Sequence, residues 1–233
     1  GTQSLLANTV GDRSVALGAY ALYSQNPTSN ADMYNTAVGY NTMNATTTGQ
    51  YNTAVGGFAL DSNTTASNNT AVGYQSLYTN TTGTANAAVG VDALKENTTG
   101  SGNSAFGSHQ VGDQNAALKK NTTGAHNSAF GVGALTNNTT ASDNTAVGMN
   151  AAKNNTTGTD VVAVGKSALE SNTTGVGNVA IGRYTLAANT TANGNTAIGG
   201  YDGSAQPAMR ENTTGNANTA MGSGALSSNT TAS

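Results

Sequence analysis

The amino-acid sequence predicts an all-β fold, a parallel β-solenoid of about thirteen coils with 17 residues in each coil. Three observations support this prediction. A string close to Asn-Thr-Ala-Val-Gly recurs along the whole chain, and the residue before its glycine is always large and apolar. Every repeat also contains Gly or Asn-Thr-Thr, so no stretch between such breakers is long enough for a helix.

The period is read from the glycines that close each string. They are 17 residues apart except at gaps of 21, 24 and 23, which predict insertions near residues 27–34, 108–114 and 200–206. Because residues 1 and 233 both fall inside a repeat, we expect one solenoid domain, 1–233, that is a fragment of a longer fibre. The closing glycines are Gly18, Gly39, Gly56, Gly73, Gly90, Gly107, Gly131, Gly148, Gly165, Gly182, Gly199 and Gly222.

The Thr-Ala-Val segment before each glycine predicts a strand of four or five residues, since β-branched residues favour strands and Asn and Gly bound them. Alternation along a strand places Val on one face and Ala on the other. A 17-residue unit cannot bury a core alone, so we expect Val55, Val72 and Val89 to stack in one column, and the leucines that follow in another. In this interpretation Val points into the coil and the unvarying Ala face contacts a second chain. The alternative is a narrow coil in which Ala fits a tight corner.

Asn-Thr-Thr, three residues after the leucine, predicts a turn in which Asn adopts left-handed geometry or bonds local backbone. Stacked Asn side chains would form a ladder along the rod. Each Asn-Thr-Thr is also formally an N-glycosylation acceptor, although glycans on coils ~4.8 Å apart would crowd one another. The candidate acceptors are Asn63, Asn80, Asn97, Asn121, Asn138, Asn155, Asn172, Asn189, Asn212 and Asn229.

Composition argues against several classes of function. Only 8% of residues are charged and the net charge is -3, which gives no electrostatic footprint for nucleic acid. The sequence contains no run of 18 apolar residues, so no membrane span is predicted in this segment. The chain has no cysteine, so no disulfide or thiolate metal site is expected.

No catalytic, cofactor-binding or metal-binding constellation is predicted. The histidines His109 and His126 stand alone, and the carboxylates are scattered over different columns without an implied cleft. Asp143 and Asp160 would stack one coil apart and could hold a cation, but the favoured interpretation is two exposed turn residues.

Insertions in a solenoid map to loops on one face, which is often the binding face. Two of the three insertions fall between the glycine and the leucine. They make His109, Asp113, Tyr201 and Asp202 candidate binding-loop residues, with neutral decoration as the alternative.

The repeat resembles the head repeats of trimeric autotransporter adhesins, the YadA-like family, whose motif is close to Asn-Ser-Val-Ala-Ile-Gly. Residues 178–182, Asn-Val-Ala-Ile-Gly, are the nearest match, and the longer form with Asn-Thr-Thr-Gly is similar to repeats of bacterial surface and phage fibre proteins. The resemblance covers the whole chain and implies a trimer of left-handed β-rolls that adheres to host or matrix surfaces. The family's period is 14 to 15 residues, whereas this chain repeats every 17.

Three functions from different classes follow. The first is a structural or adhesive fibre at a cell surface or on a virion, not an enzyme, which associates with itself as a homo-trimer and end to end and contacts host or matrix surfaces or glycans. The second is an ice-binding solenoid, which would need a flat Thr array. The third is a carbohydrate-active β-helix enzyme, which would need a groove of clustered carboxylates.

Overall fold

A computed structural model describes residues 1–109, 115–201 and 203–233. In these ranges the chain is all-β, with no helix, and winds into a solenoid of about 11 turns whose strands lie about 17 residues apart. The predicted fold class is therefore confirmed, with about 11 turns rather than the expected thirteen.

Each regular coil contributes one three-residue strand, shorter than the four or five residues expected. Twelve strands form one parallel sheet, and two strands of two residues form a second sheet. The strands are β1 Gly11–Asp12, β2 Val15–Leu17, β3 Ala31–Asp32, β4 Thr36–Val38, β5 Thr53–Val55, β6 Thr70–Val72, β7 Ala87–Val89, β8 Ser104–Phe106, β9 Ser128–Phe130, β10 Thr145–Val147, β11 Val162–Val164, β12 Val179–Ile181, β13 Thr196–Ile198 and β14 Thr219–Met221.

The large sheet is in register from coil to coil. Val55 pairs with Val72, and Val72 pairs with Val89, so the predicted column exists. Backbone pairing continues outside the strands, where the N–H of Leu60 donates to the Ser76 carbonyl at 2.9 Å. Each 17-residue coil is thus held to the next around most of its circumference, which compensates for its thin core.

The predicted direction of the two strand faces is wrong. In the large sheet the central Ala of each strand points into the coil, and it is buried in every strand but β2, as at Ala54, Ala71 and Ala88. The following residue points outward, and Val55 remains 37% exposed. The coil interior is too narrow for Val opposite the buried leucine, so the alternative interpretation of Ala in a tight corner is the correct one.

The apolar core is a column of leucines packed on the inward alanines. Leu60, Leu77 and Leu94 are fully buried, and each has a left-handed backbone with φ between 51° and 53°. Left-handed geometry was expected at Asn-Thr-Thr-Gly. It occurs instead at Leu and at other positions of the coil, such as Phe58 and Asn68. At Leu the contacts of the buried side chain offset the strain of about 1–3 kcal/mol.

The closing glycine is required by close approach between coils. Gly73 has φ of 132°, and a Cβ built on it would lie 2.5 Å from the carbonyl oxygen of Gly90. Any side chain in this column would force adjacent coils apart, which explains why the string always ends in glycine.

The first insertion forms the small second sheet. Ala31 and Asp32 of β3 pair in parallel with Gly11 and Asp12 of β1. Of the second insertion, residues 110–114 lie outside the described part of the chain.

Candidate functional site

Two ladders of Asn side chains run through the coil interior. The first is made by the Asn of Asn-Thr-Thr. Nδ2 of Asn97 donates both to Oδ1 of Asn80 at 2.8 Å and to the carbonyl of Gly100 at 2.9 Å. The predicted local bond and the predicted ladder are both present.

This ladder bears directly on the glycosylation hypothesis. Both amide hydrogens of an Asn such as Asn97 are donated, and its side chain has no exposed surface. Carrying a glycan on such a nitrogen would require the coil to open. The burial therefore argues against modification of the folded rod at Asn63, Asn80, Asn97, Asn121, Asn138, Asn155, Asn172, Asn189 and Asn212. Only Asn229, in the last coil, is partly exposed.

The second ladder is made by the Asn that precedes each strand. Oδ1 of Asn69 accepts the backbone N–H of Asn86 at 3.0 Å, and Nδ2 of Asn69 donates to the carbonyl of Gly83 at 3.0 Å. The Gly83 carbonyl also accepts Nδ2 of Asn80 at 2.9 Å, from the first ladder. The two ladders therefore converge on one carbonyl in each regular coil, and the polar groups of the interior satisfy one another.

The second ladder is interrupted in one coil. Val161 stands where the coils on either side have Asn, and it offers no acceptor to the backbone N–H of Asn178. The preceding rung, Asn144, still accepts from the N–H of Val161 at 2.9 Å, but its buried Nδ2 has no hydrogen-bond partner. The same coil has Ala152 in the leucine column, so its core is irregular at two positions.

The outward face of the large sheet is uncovered. Its third-position residues form a continuous apolar column in which Phe106 and Phe130 stack with ring centroids 5.0 Å apart and stay 38% and 41% exposed. Beside this column runs a second column of mostly Thr or Ser, including Thr53 and Thr70. Together they make a flat face, the sheet face, which we define as the first and third residues of β2 and β4 to β14.

An aromatic cluster covers one surface of the early coils. Tyr40 packs edge-to-face on Phe58 at 5.3 Å, Phe58 packs on Tyr74 at 6.0 Å, and Tyr40 and Tyr74 are about half exposed. Asp61, three residues after Phe58, has a buried Oδ1 without a hydrogen-bond partner. Burial raises the pKa of Asp61 to about 6.

A charged cluster surrounds Asp92 near the second insertion. The Asp92 carboxylate lies 3.4 Å from Nζ of Lys95, 3.3 Å from Nζ of Lys119 and 3.8 Å from Nδ1 of His109. The candidate residue His109 thus contacts a carboxylate on a neighbouring coil. The other candidate of this insertion, Asp113, lies outside the described residues.

The third insertion borders a surface pocket. A cavity of about 270 Å³ is lined by Tyr184, Tyr201, Gln206, Pro207 and Arg210. It continues into a more open groove of about 420 Å³ that shares Tyr184 and Arg210 and adds residues such as Glu170, Ser171 and Glu211. The candidate Tyr201 therefore lines a concavity, whereas Asp202 lies outside the described residues.

Cationic and aromatic groups meet at this pocket. The Arg183 guanidinium lies 4.9 Å from the ring centroid of Tyr184 and 5.4 Å from that of Tyr201. A hydrogen bond from Arg183 lowers the pKa of the Tyr184 hydroxyl, with a further contribution from the charge of Lys166. The Arg210 guanidinium donates to Oε1 of Gln206 at 2.5 Å. We define these surroundings, with the cavity itself, as the Arg210 pocket.

The sequence identified only Tyr201 among the described residues of the Arg210 pocket. Tyr184, Arg183 and Arg210 belong to ordinary coils, and only stacking brings them beside the insertion. A usable signal was present, because charged or aromatic residues occupy the one or two positions after the closing glycine in several coils, as at Arg183 and Tyr184.

The two carboxylates that the sequence suggested for a cation, Asp143 and Asp160, each have another partner. Asp143 lies 3.5 Å from Nδ1 of His126, and Asp160 accepts a hydrogen bond from its neighbour Thr159. Across the described ranges, no group of three or more His, Cys, Asp or Glu residues could hold a metal ion, and no helix is long and apolar enough to cross a membrane.

No protein-family model, curated protein or solved structure matches this chain. The resemblance to trimeric adhesin heads and phage fibre repeats therefore stays a prediction from the repeat motif.

Proposed function

We propose that this chain is a segment of a structural and adhesive fibre at a cell surface or on a virion, and that it associates with copies of itself, as a homo-trimer. The observation that supports this proposal is the uncovered sheet face. It is a twelve-stranded parallel face with an unbroken apolar column.

Parallel sheets are generally covered on both faces. Here the inward face is covered by the coil itself, whereas the outward face carries Val55, Phe130, Val147 and Ile181 at 37–41% exposure. Contiguous exposed apolar surface of this kind marks interaction sites. Association through the sheet face would remove it from water along the length of the rod.

The thin core supports the same proposal. Each regular coil contributes one leucine and one or two alanines to the core, against a backbone ordering cost of roughly 1–2 kcal/mol per residue. Burial between chains would add stabilisation that a single rod lacks. The interface proposed from the sequence, the Ala column, is excluded by its burial inside the coil, so the Val column takes its place.

The test is the mass of the chain in solution. The variant Val55→Lys/Val72→Lys adds charge to the sheet face and should shift light-scattering mass from oligomer to monomer. The matched control Thr65→Lys/Thr82→Lys adds the same charges to exposed turn residues and should leave the oligomer intact. A wild-type chain that stays monomeric at high concentration would rule out self-association.

Adhesion requires a separate measurement. Inert beads coated with the chain should be retained on matrix-coated or glycan-coated surfaces under flow, whereas beads coated with unfolded chain should not. Equal retention of both kinds of bead would contradict the adhesive part of the proposal.

One observation favours ice binding as a second candidate. On the sheet face, Thr and Val of each Thr-Ala-Val strand both point outward in a flat array, as at Thr53 and Val55, or Thr70 and Val72. Phe106 and Phe130 interrupt this array midway. Thermal hysteresis of a dilute solution would distinguish this candidate from the fibre, which should show none.

A further inference from the structure

The Arg210 pocket stands apart from the sheet face and from the buried ladders. We propose that it binds a six-membered sugar ring that carries a carboxylate, of the sialic acid or uronic acid type. This inference deepens the adhesive proposal by naming a ligand class, but binding at the pocket does not depend on whether the chain forms a fibre.

The cavity has the size for one ring. At about 270 Å³ it lies just below the ~300 Å³ at which pockets for drug-sized ligands begin. The adjoining groove of about 420 Å³ is more open and would accommodate whatever is linked to that ring. Tyr184 and Arg210 border both the cavity and the groove. A ligand that extends from the cavity into the groove would therefore contact both residues.

The aromatic lining favours a sugar over a simple anion. Tyr184 and Tyr201 present rings whose apolar surfaces suit the C–H faces of a pyranose. The Tyr201 hydroxyl donates to the Gly203 carbonyl at 3.2 Å, so its oxygen is left to accept from a sugar hydroxyl. The Arg183 guanidinium packs against both rings and holds them as one surface. Buried Pro207 adds a further apolar wall.

The charges favour a single carboxylate. The Arg210 guanidinium lines both the cavity and the groove, and the Arg183 guanidinium packs on the two tyrosine rings, whereas Glu170 and Glu211 line the groove alone. The guanidinium of Arg210, oriented by Gln206, can pair with a carboxylate through parallel N–H donors.

The glutamates would serve the rest of the ring. Glu170 and Glu211 line the open groove with Ser171, where carboxylate oxygens accept hydrogen bonds from hydroxyl or acetamido groups. A dianion such as phosphate would meet the same two carboxylates unfavourably. The acceptor groups for the sugar hydroxyls therefore lie in the groove alone, whereas Arg210 can reach a carboxylate from either space.

The experiment titrates the full chain with three probes and follows binding by calorimetry and by ligand-detected NMR. The probes are the methyl glycoside of N-acetylneuraminic acid, the methyl ester of that glycoside, and methyl glucuronide as the free acid. We expect both acids to bind and the neutral ester to bind at least about tenfold more weakly, because the charge-assisted hydrogen bonds to Arg210 are lost.

Two variants locate the site. Arg210→Gln should weaken binding of the sialoside at least about tenfold. Arg13→Gln is the matched control, because Arg13 also lies over a tyrosine, Tyr34 at 5.4 Å, but on the first coils of the rod. It should change the affinity less than about twofold. Circular dichroism of each variant checks that the solenoid is intact.

Each contrary result would overturn the inference. Equal binding of acid and ester would remove the role of the carboxylate. Acetate or phosphate that binds as tightly as the sialoside would remove the role of the ring. Equal losses in Arg210→Gln and Arg13→Gln, or no binding of either acid, would remove the site. Failure of self-association in the mass experiment would leave all these outcomes unaffected, so the two proposals are judged separately.

Discussion

The inward and outward faces of the same strands differ in how much their residues vary from coil to coil. The inward residue is Ala in all twelve strands of the large sheet, whereas the outward third residue is Val, Leu, Phe, Ile or Met. The inward alanines are buried against the leucine column, whereas outward residues such as Val55 and Phe130 stay 37% and 41% exposed. The comparison teaches that the narrow interior, not the exposed apolar column, dictates the repeat.

The largest difference in stability should be between two variants, one with a charge on the inward face and one with a charge on the outward face. Ala71 is fully buried between Ala54 and Ala88, so Ala71→Asp should lower the free energy of unfolding by about 3–5 kcal/mol, the cost of an unpaired buried charge. The adjacent Val72→Asp should cost less than about 1 kcal/mol in dilute solution, because its side chain points outward. Urea denaturation of both variants measures the difference. Equal losses would mean that the sheet faces were assigned in the wrong direction.

Breaking a ladder should have the next largest effect. Asn97→Ala removes the acceptor of Asn121 and the donor to Asn80, each at 2.8 Å, and should cost about 2–3 kcal/mol. The control Asn137→Ala removes a half-buried pair with Asn154 outside the ladder and should cost about 0.5 kcal/mol. The melting temperatures of the two variants give the comparison, and similar shifts would count against an energetic role for the buried ladder.

Repairing the interrupted ladder tests the interior in the opposite direction. Val161→Asn supplies an acceptor for the N–H of Asn178 and a donor for the Gly175 carbonyl, and should raise the free energy of unfolding by about 0.5–1.5 kcal/mol. Val161→Ala, which restores neither bond, should lower it. A loss of stability in Val161→Asn would show that packing of Val161 near Ala152 outweighs the two hydrogen bonds.

The smallest effect should be the pH dependence at Asp61, at the boundary between interior and surface. Burial raises the pKa of its carboxyl from 3.8 to about 6, so the folded state holds the proton more tightly than the unfolded state does. Its contribution to stability is therefore fully present below about pH 4 and is lost as the pH rises through about 6. Asp61→Asn should melt higher than the wild type at pH 7 and show a smaller decline between pH 4 and 7. Parallel profiles would contradict the raised pKa.

Much of the rod was predictable from the sequence. The glycine spacing determined the period, the Thr-Ala-Val string determined where each strand lies, and recurrent Gly and Asn-Thr-Thr excluded a helix. The Asn ladder was also predictable, because identical side chains at a fixed period must stack when the coils stack. These features depend only on local chemistry and on repetition.

The tertiary structure alone decided which strand face is inside. Alternation along the strand shows that Ala and Val lie on opposite faces, but not which of them lies inside. The narrow coil accommodates only Ala on the inward face. The width of the coil depends on its buried leucine, which has a left-handed backbone, as at Leu60. Likewise the Arg210 pocket joins residues of different coils, Tyr184 and Tyr201 among them, and only stacking across the third insertion brings them together. The distances between residues of different coils depend on how the coils pack on one another. Spacing along the chain alone therefore does not show which of these residues are neighbours.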